Sequence, residues 1–364
     1  MDAMNPVFVE TPHGAVQPEA VRAAAIAKPG FGRVFTDHMV TLRFNAERGW
    51  HDGRIEPLTT LSFHPATVML HYAQMIFEGL KAYRLPDGTA ALFRPEMNAR
   101  RMQRSAERLC MEPLPEALFL ESVRALVRKD AAWIPAPDVG TLYLRPFLLG
   151  TETALGVHAS TDYLYCLIAS PVGSYFAGGA APLTLWISET TSRAAPGGTG
   201  EAKCGGNYAA SLTALAEAKR EGCDQTIFLD AVEHRYVEEL GGMNVFFVFD
   251  DGSLATPPLT GTILPGITRD SIIRLARDRG HEVREELYSI DQWAADAASG
   301  RLVEAFACGT AAVIAPIGRV RGRQHDITMG DGGAGPVTEA LFTALTGIQR
   351  GELPDPYGWV EKLV

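Results

Sequence analysis

Lysine is scarce in this chain: it supplies six of the 33 Lys and Arg residues, at positions 28, 81, 129, 203, 219 and 362. Either type can carry a surface charge, but covalent chemistry at a carbonyl carbon needs a primary amine. Lys129, Lys219 and Lys362 stand in charged, helical or terminal settings that suit solvation, and Lys28 precedes a proline. Lys81 falls in a strand-like tract. Lys203 differs because it stands between Ala194-Ala-Pro-Gly-Gly-Thr-Gly200 and Cys204-Gly-Gly-Asn-Tyr208. Glycines on both sides let another group approach the backbone closely. Local context alone leaves an ordinary loop lysine equally open.

Other residues could work with such an amine. Leu264-Pro-Gly-Ile-Thr-Arg269 is a turn that opens into a helix. The first N–H groups of a helix lack internal partners and sit at the positive end of its dipole, which suits a phosphate. Cys308-Gly-Thr-Ala311 offers a hydroxyl and approachable N–H groups after a strand-like run. Glu239, just before Gly241-Gly-Met-Asn244, is a carboxylate that could keep a ring nitrogen protonated. Arg94, in Phe93-Arg-Pro95, suits a phosphate, and Arg145, in Tyr143-Leu-Arg-Pro146, suits burial against an anion. Each of these, taken singly, reads more readily as a plain turn or as a solvated or structurally paired group.

The elements that must position these residues alternate. A strand-like tract runs over 34–44, a hairpin over 78–93 with its turn at Asp87-Gly88, and helices over 98–110 and 118–133. Strands follow at 140–149 and 163–169. The second half shows helices at 207–221 and 267–280, with strands at 226–230 and 243–250. The fold class is therefore mixed α and β. Residues 1–28 read as an arm. A chain of 364 residues exceeds one small core. We expect an N-terminal domain over 1–173, an interdomain loop over 174–188 and a larger C-terminal domain over 189–364.

Composition excludes several classes. A net charge of −10 argues against nucleic acid as a partner. No stretch approaches the roughly 20 apolar residues of a membrane span, and the first residues lack the pattern of a signal peptide. Five scattered cysteines without a CxxC pair fit reduced thiols in the cytoplasm. The histidines form no ligand cluster, so no metal is expected. No G-x-S-x-G elbow or P-loop is present, and no G-x-G-x-x-G is expected to open a helix after a strand.

Together the motifs resemble the branched-chain amino acid aminotransferases, and specifically their longer subgroup. The matching tracts are Glu201-Ala-Lys-Cys-Gly-Gly-Asn-Tyr208, Glu239-Leu-Gly-Gly-Met-Asn244, Leu264-Pro-Gly-Ile-Thr-Arg269 and Gly309-Thr-Ala311. Phe31-Gly-Arg-Val-Phe-Thr-Asp-His38, Leu70-His-Tyr72, Phe77-Glu-Gly79, Leu92-Phe-Arg-Pro95, Tyr143-Leu-Arg-Pro146 and Leu155-Gly-Val157 add to them in the same order. The resemblance runs from about Phe31 to the C-terminus.

It implies a fold-type IV enzyme, two α/β domains with pyridoxal 5'-phosphate (PLP) between them. It implies that Lys203 carries the cofactor and moves the substrate's Cα proton. Tyr208 would bond the ring oxygen, Glu239 the pyridine nitrogen, and Leu264 would pack on the ring. Arg94, Thr310 and the N–H groups of Ile267 and Thr268 would hold the phosphate. Phe31, Tyr72, Phe77, Tyr143 and Tyr175 would shape an apolar pocket, and Arg145 would bind the distal carboxylate of glutamate. The turns at Gly242 and Ala311 would receive the α-carboxylate. Leu155 and Val157 would reach into the partner's site of a homodimer.

The implied reaction is transamination of leucine, isoleucine and valine with 2-oxoglutarate. The alternatives are D-amino acid aminotransferase, aminodeoxychorismate lyase, or a non-catalytic PLP-binding protein. Two departures stand out. Mammalian relatives carry a CxxC pair where this chain has Ala312 and Ala315, so no thiol switch is expected. They also carry threonine in place of Gly242.

Overall fold

A computed structural model describes residues 8–12, 16–173 and 181–363. The chain forms two compact units. The first comprises Met1–Tyr175, Ala202–Gly205 and Ile348–Val364; the second comprises Phe176–Glu201 and Gly206–Gly347. This division differs from the expected one, which gave everything after residue 189 to a C-terminal domain. The reason is strand pairing. Val360–Leu363 pairs antiparallel with Ala90–Phe93, and Cys204 forms an antiparallel bridge with Ile76.

The first unit holds strands β1 (Val9–Glu10), β2 (His38–Asn45), β3 (Gly49–Pro57), β4 (Met75–Phe77), β5 (Leu80–Arg84), β6 (Ala90–Phe93), β7 (Thr141–Gly150) and β8 (Asp162–Val172). They form one sheet in the order β1-β3-β2-β8-β7-β5-β6, continued by Val360–Leu363, with β4 added beside β7. The turn between β5 and β6 is the expected one, with Gly88 at φ 83°. Four helices belong here: α1 (Glu19–Ala27), α2 (Val68–Tyr72), α3 (Pro95–Arg108) and α4 (Glu116–Lys129). The expected arm thus contains α1, an Ala-rich segment of high helix propensity that buries no residue.

Side chains alternate across a strand, and this sorts β5 and β7. Leu80, Ala82, Leu142 and Leu144 join Met102, Ala106, Phe119 and Val123 of α3 and α4 in one core. Lys81, Tyr143 and Arg145 therefore project from the opposite face of the sheet, with Lys81 and Tyr143 in direct register.

The second unit holds β9 (Leu183–Ser188), β10 (Gln225–Leu229), β11 (Val237–Leu240), β12 (Asn244–Phe249), β13 (Leu254–Thr256), β14 (Val283–Glu285), β15 (Leu302–Gly309), β16 (Val313–Arg321) and β17 (Asp326–Thr328). Their order is β11-β10-β9-β16-β15-β12-β13-β14, with β17 beside β16. Helices α5 (Gly205–Arg220), α6 (Ile267–Asp278), α7 (Ile290–Ser299) and α8 (Pro336–Gln349) accompany it. Its core gathers Phe247, Tyr288 and Trp293, with ring centroids of Phe247 at 4.5 and 4.8 Å from the other two.

Candidate active site

Lys203 lies in the short stretch that joins the first unit. Its backbone is held on both sides of the peptide. The Lys203 N–H donates to Ser105 Oγ at 2.9 Å, and its carbonyl accepts from the Phe77 N–H at 2.9 Å. The amine Nζ stands 5.1 Å from the centre of the Phe77 ring. Holding the root in this way sets the region that the long, flexible side chain can reach.

The support of that root is ionic. Glu78, next to Phe77, is 0% exposed. Its carboxylate accepts from Arg101 Nε at 2.7 Å and Nη2 at 2.8 Å, from Asn98 Nδ2 at 2.7 Å and from the Gly79 N–H at 3.1 Å. Burial alone would raise the Glu78 carboxyl, but the Arg101 guanidinium outweighs it, helped by Lys203 and Asn98, and holds it below the ordinary carboxylate range. Nothing in the sequence reading gave a role to Glu78, Asn98, Arg101 or Ser105. The spacing 98, 101, 105 was the available signal, since it places three polar groups on one helix face among buried Ala99, Met102 and Ala106.

Around Arg145 the first unit builds an aromatic surround. The guanidinium carbon lies 4.8 Å from the Phe77 ring centre and 5.3 Å from that of Tyr143, and Nη2 donates to the Tyr143 hydroxyl at 3.0 Å. Phe31 meets Tyr143 edge to face at 5.4 Å. Gly79 makes room for this packing, because a Cβ there would fall 2.1 Å from the Tyr143 hydroxyl. Arg145 Nε is buried with no hydrogen-bond partner among the described residues. Phe31, Phe77, Tyr143 and Arg145 are thus brought together. Tyr72 is exposed and bonds the Leu155 carbonyl. Leu155 and Val157 are 68% and 83% exposed, high for aliphatic side chains. Tyr175 lies outside the described residues.

Arg94 caps α3 in the left-handed region, at φ 49° and ψ 45°. That conformation is costly for a residue other than glycine and is held by its surroundings. The Arg94 N–H donates to the Trp359 carbonyl at 2.8 Å, and its guanidinium lies 5.0 Å from the Trp359 ring centre. Trp359, another residue missed from sequence, is stacked in turn on Tyr357.

The second unit carries the remaining expected residues. Glu239, on β11, is 2% exposed and forms an ion pair with Arg193. Its Oε1 also accepts from the Leu264 N–H at 3.0 Å. Asn244 Nδ2 donates to the Leu264 carbonyl at 3.1 Å. The same Arg193 reaches the carbonyls of Thr262 and Gly200 at 2.6 and 3.1 Å. Arg193 was not foreseen, because its partner lies 46 residues away and only folding joins them. Neighbouring Glu238 is different: burial pushes its carboxyl up, while Thr262 and Arg193 oppose the shift.

Ile267 and Thr268 open α6 behind Gly266, as expected from the Leu264–Arg269 turn. Among the described residues no side chain caps that end. Gly266 is required there, since a Cβ would fall 2.0 Å from Asn244 Oδ1. Thr310 and Ala311 form the turn between β15 and β16, which continues into Val313 at φ 63°. A β-branched residue in that region marks a turn whose shape is imposed by its context. Gly242 lies close by, its carbonyl 3.6 Å from where a Gly309 Cβ would stand. A Cβ at position 242 would meet Tyr208 at 3.6 Å, an ordinary contact, so glycine is not required there by space.

These groups fit a PLP-type cofactor. Glu239 lies in a buried ion pair with Arg193, a carboxylate setting that suits a protonated ring nitrogen, and the start of α6 with Thr310 offers the donors a phosphate needs. Comparison with known proteins agrees. Residues 75–320 match the amino-transferase class IV family. The chain is 54% identical over 346 residues, 95% of each chain, to a protein of Streptomyces coelicolor named as a probable branched-chain-amino-acid aminotransferase. The solved branched-chain amino acid aminotransferase of Escherichia coli matches with a TM-score of 0.73 and 31% identity, covering 90% of this chain and 99% of that one. That of T.th., complexed with N-(5'-phosphopyridoxyl)-L-glutamate, matches with a TM-score of 0.72 and 29% identity over 89% of this chain and 98% of that one. A motif set built around one scarce lysine, a mixed α and β fold and relatives aligned along nearly the whole chain lead to the same place: the chain belongs to the class IV aminotransferases, and within them to the branched-chain amino acid aminotransferases.

Proposed function

We propose that the protein transfers the amino group of L-leucine, L-isoleucine or L-valine to 2-oxoglutarate, giving branched-chain 2-oxo acids and L-glutamate by a reversible ping-pong cycle with PLP. The observation that carries this reading is Arg145 enclosed by Phe77 and Tyr143. Aromatic walls suit an aliphatic side chain, while the guanidinium suits the second carboxylate of the acidic co-substrate. The phosphopyridoxyl-glutamate with which the T.th. relative is complexed supports both the cofactor and that co-substrate.

PLP, when bound, supplies a protonated ring that accepts the electron pair left at the substrate's α-carbon. The protein's residues do the rest. Lys203 Nζ would hold the cofactor covalently and, once released from it by the incoming amino group, would serve as the general base that takes up and returns the substrate's Cα proton. Glu239, fixed by Arg193, keeps the ring nitrogen protonated. By the family resemblance, Tyr208 would bond the ring oxygen and Leu264 would pack on the ring, and Arg94, the Ile267 and Thr268 N–H groups and Thr310 would be the phosphate's partners. By the same resemblance, the turns at Gly242 and Ala311 would receive the α-carboxylate, and Phe31, Tyr72, Phe77, Tyr143 and Tyr175 would serve the substrate side chain.

The same reading makes the protein a homodimer in which Leu155 and Val157 enter the partner's site, and the exposure of both side chains supports it. Among the described residues no helix is long and apolar enough to cross a membrane. Five unpaired cysteines support a reducing compartment, the cytoplasm. The test is a panel of L-amino acids, D-alanine and aminodeoxychorismate, followed by absorbance of the bound cofactor with 2-oxoglutarate as acceptor. Spectral turnover with leucine, isoleucine and valine is expected. Turnover with D-alanine alone, or pyruvate release from aminodeoxychorismate, would overturn it.

A further inference from the structure

One face of α3 carries Asn98, Arg101 and Ser105, at spacings of three and four residues. All three are buried, and all three point at the two short segments that bear the reactive lysine's root. Asn98 and Arg101 close on the Glu78 carboxylate with three side-chain hydrogen bonds. Ser105 accepts the Lys203 N–H. The two segments are themselves joined, by the Phe77 N–H to the Lys203 carbonyl and by the bridge between Ile76 and Cys204. Glu78 ties its own segment onward to β7, its N–H donating to the Pro146 carbonyl at 2.7 Å.

We propose that Ser105, seated by the buried Glu78–Arg101–Asn98 cluster on the same helix face, is a positioning residue for Lys203. Resting on the reading of Lys203 as the reactive amine, this assigns a task to a hydroxyl that touches neither substrate nor cofactor. A lysine side chain is long and flexible, so its reach depends on where its backbone is anchored. Two anchors on the Lys203 segment, the Phe77 N–H and the Ile76 bridge, are strand-like and constrain one edge of the peptide. The Ser105 hydroxyl constrains the other edge. Removing it takes the hydroxyl acceptor from a part-buried N–H and lets the peptide tilt to find another. The Glu78–Arg101 pair serves the hydroxyl by fixing the helix face against the strand, a bidentate contact of defined orientation.

The test uses the full-length chain in three forms, wild type, Ser105→Ala and Ser105→Thr, with Ser105→Cys as a near-isosteric, weakly accepting substitute should Ser105→Ala not fold. Two readouts are taken. In cofactor-free protein, an amine-reactive acetylating reagent is applied and labelling of Lys203 is measured against exposed Lys219 by peptide mass spectrometry. In holoenzyme, kcat and KM for leucine are measured with 2-oxoglutarate. We expect Ser105→Ala to change the Lys203:Lys219 labelling ratio at least threefold and to lower kcat about tenfold, with KM within twofold, and Ser105→Thr to restore both. An unchanged labelling ratio in Ser105→Ala, or in Ser105→Cys where that stands in, overturns the proposal, as does a loss in which kcat and KM move together and threonine gives no rescue. Wild type that shows no transamination would sink the function proposed above, while the labelling arm would still report on the Ser105 anchor.

Discussion

The main chain of Phe77 is hydrogen-bonded to that of Lys203 at 2.9 Å, while the Lys203 amine stands 5.1 Å from the centre of the Phe77 ring. One residue therefore holds the root of the lysine and borders its tip. On the function proposed above, the reactive group is set by a neighbour that would also wall the substrate side chain. Lys203→Ala removes both the covalent attachment and the general base. We expect turnover to fall by roughly 10²–10⁴-fold or more, the scale of a lost general base. Absorbance of the purified variant, before and after leucine is added, checks it: retained cycling would refute the assignment.

Arg193 and Glu239 make a different kind of prediction, because the pair is buried on both sides. Arg193→Leu removes the guanidinium that faces the buried Glu239 carboxylate, and breaking a buried ion pair in this way costs about 3–5 kcal/mol. The double variant Arg193→Leu with Glu239→Gln removes the stranded charge and should recover much of that stability. It should not recover activity, since no anion remains for the ring nitrogen. Urea denaturation beside steady-state turnover separates the two; recovery of both would show that Glu239 has no electronic role.

Arg145→Ala should divide the two half-reactions. Losing a charged hydrogen-bonding partner of a carboxylate costs roughly 1.5–3 kcal/mol, about 10- to 100-fold in the glutamate and 2-oxoglutarate direction. The leucine half-reaction should change far less, because an aliphatic side chain has no use for the guanidinium. Single-turnover spectra with each amino donor provide the measurement, and equal losses would contradict the role.

Lys81 is buried on the same sheet face as Tyr143 and Arg145, and burial, with Arg350 adding, pushes its amine down to about 7. The sign follows from linkage. A lysine whose folded pKa lies below its unfolded value binds fewer protons when folded, so stability rises as pH climbs between the two. The window is therefore pH 7 to about 10.4, the unfolded lysine value, and the full difference is on the order of 4 kcal/mol. Lys81→Met should be the more stable form at pH 7 and should lose that share of the slope. Chemical denaturation at pH 7, 8 and 9 decides it, and parallel curves for the two proteins would exclude a buried, titrating Lys81.

The residues legible in sequence were those whose signal is local. Lys203 stood out by scarcity and flanking glycines, the 78–93 hairpin by its Asp-Gly turn, and the start of α6 by a Pro-Gly turn running into an apolar-striped helix. Arg193, Glu78, Arg101 and Ser105 stayed hidden because their meaning is in their partners, which lie 23 to 98 residues away in the chain. The C-terminal strand was invisible for the same reason: Val360–Leu363 is a strand because Ala90–Phe93 offers it an edge.

The first unit is not one stretch of chain but three, with its last piece following the whole second unit. During translation, then, Arg94 waits. Its aromatic seat, Trp359, leaves the ribosome only after the 142 residues of 206–347 have been made. Until that moment β6 is an open edge and the arginine's unusual backbone lacks the Trp359 carbonyl that holds it. A truncation anywhere in the second unit would thus disable both units, and the nascent chain must shelter an unfinished sheet for most of its synthesis.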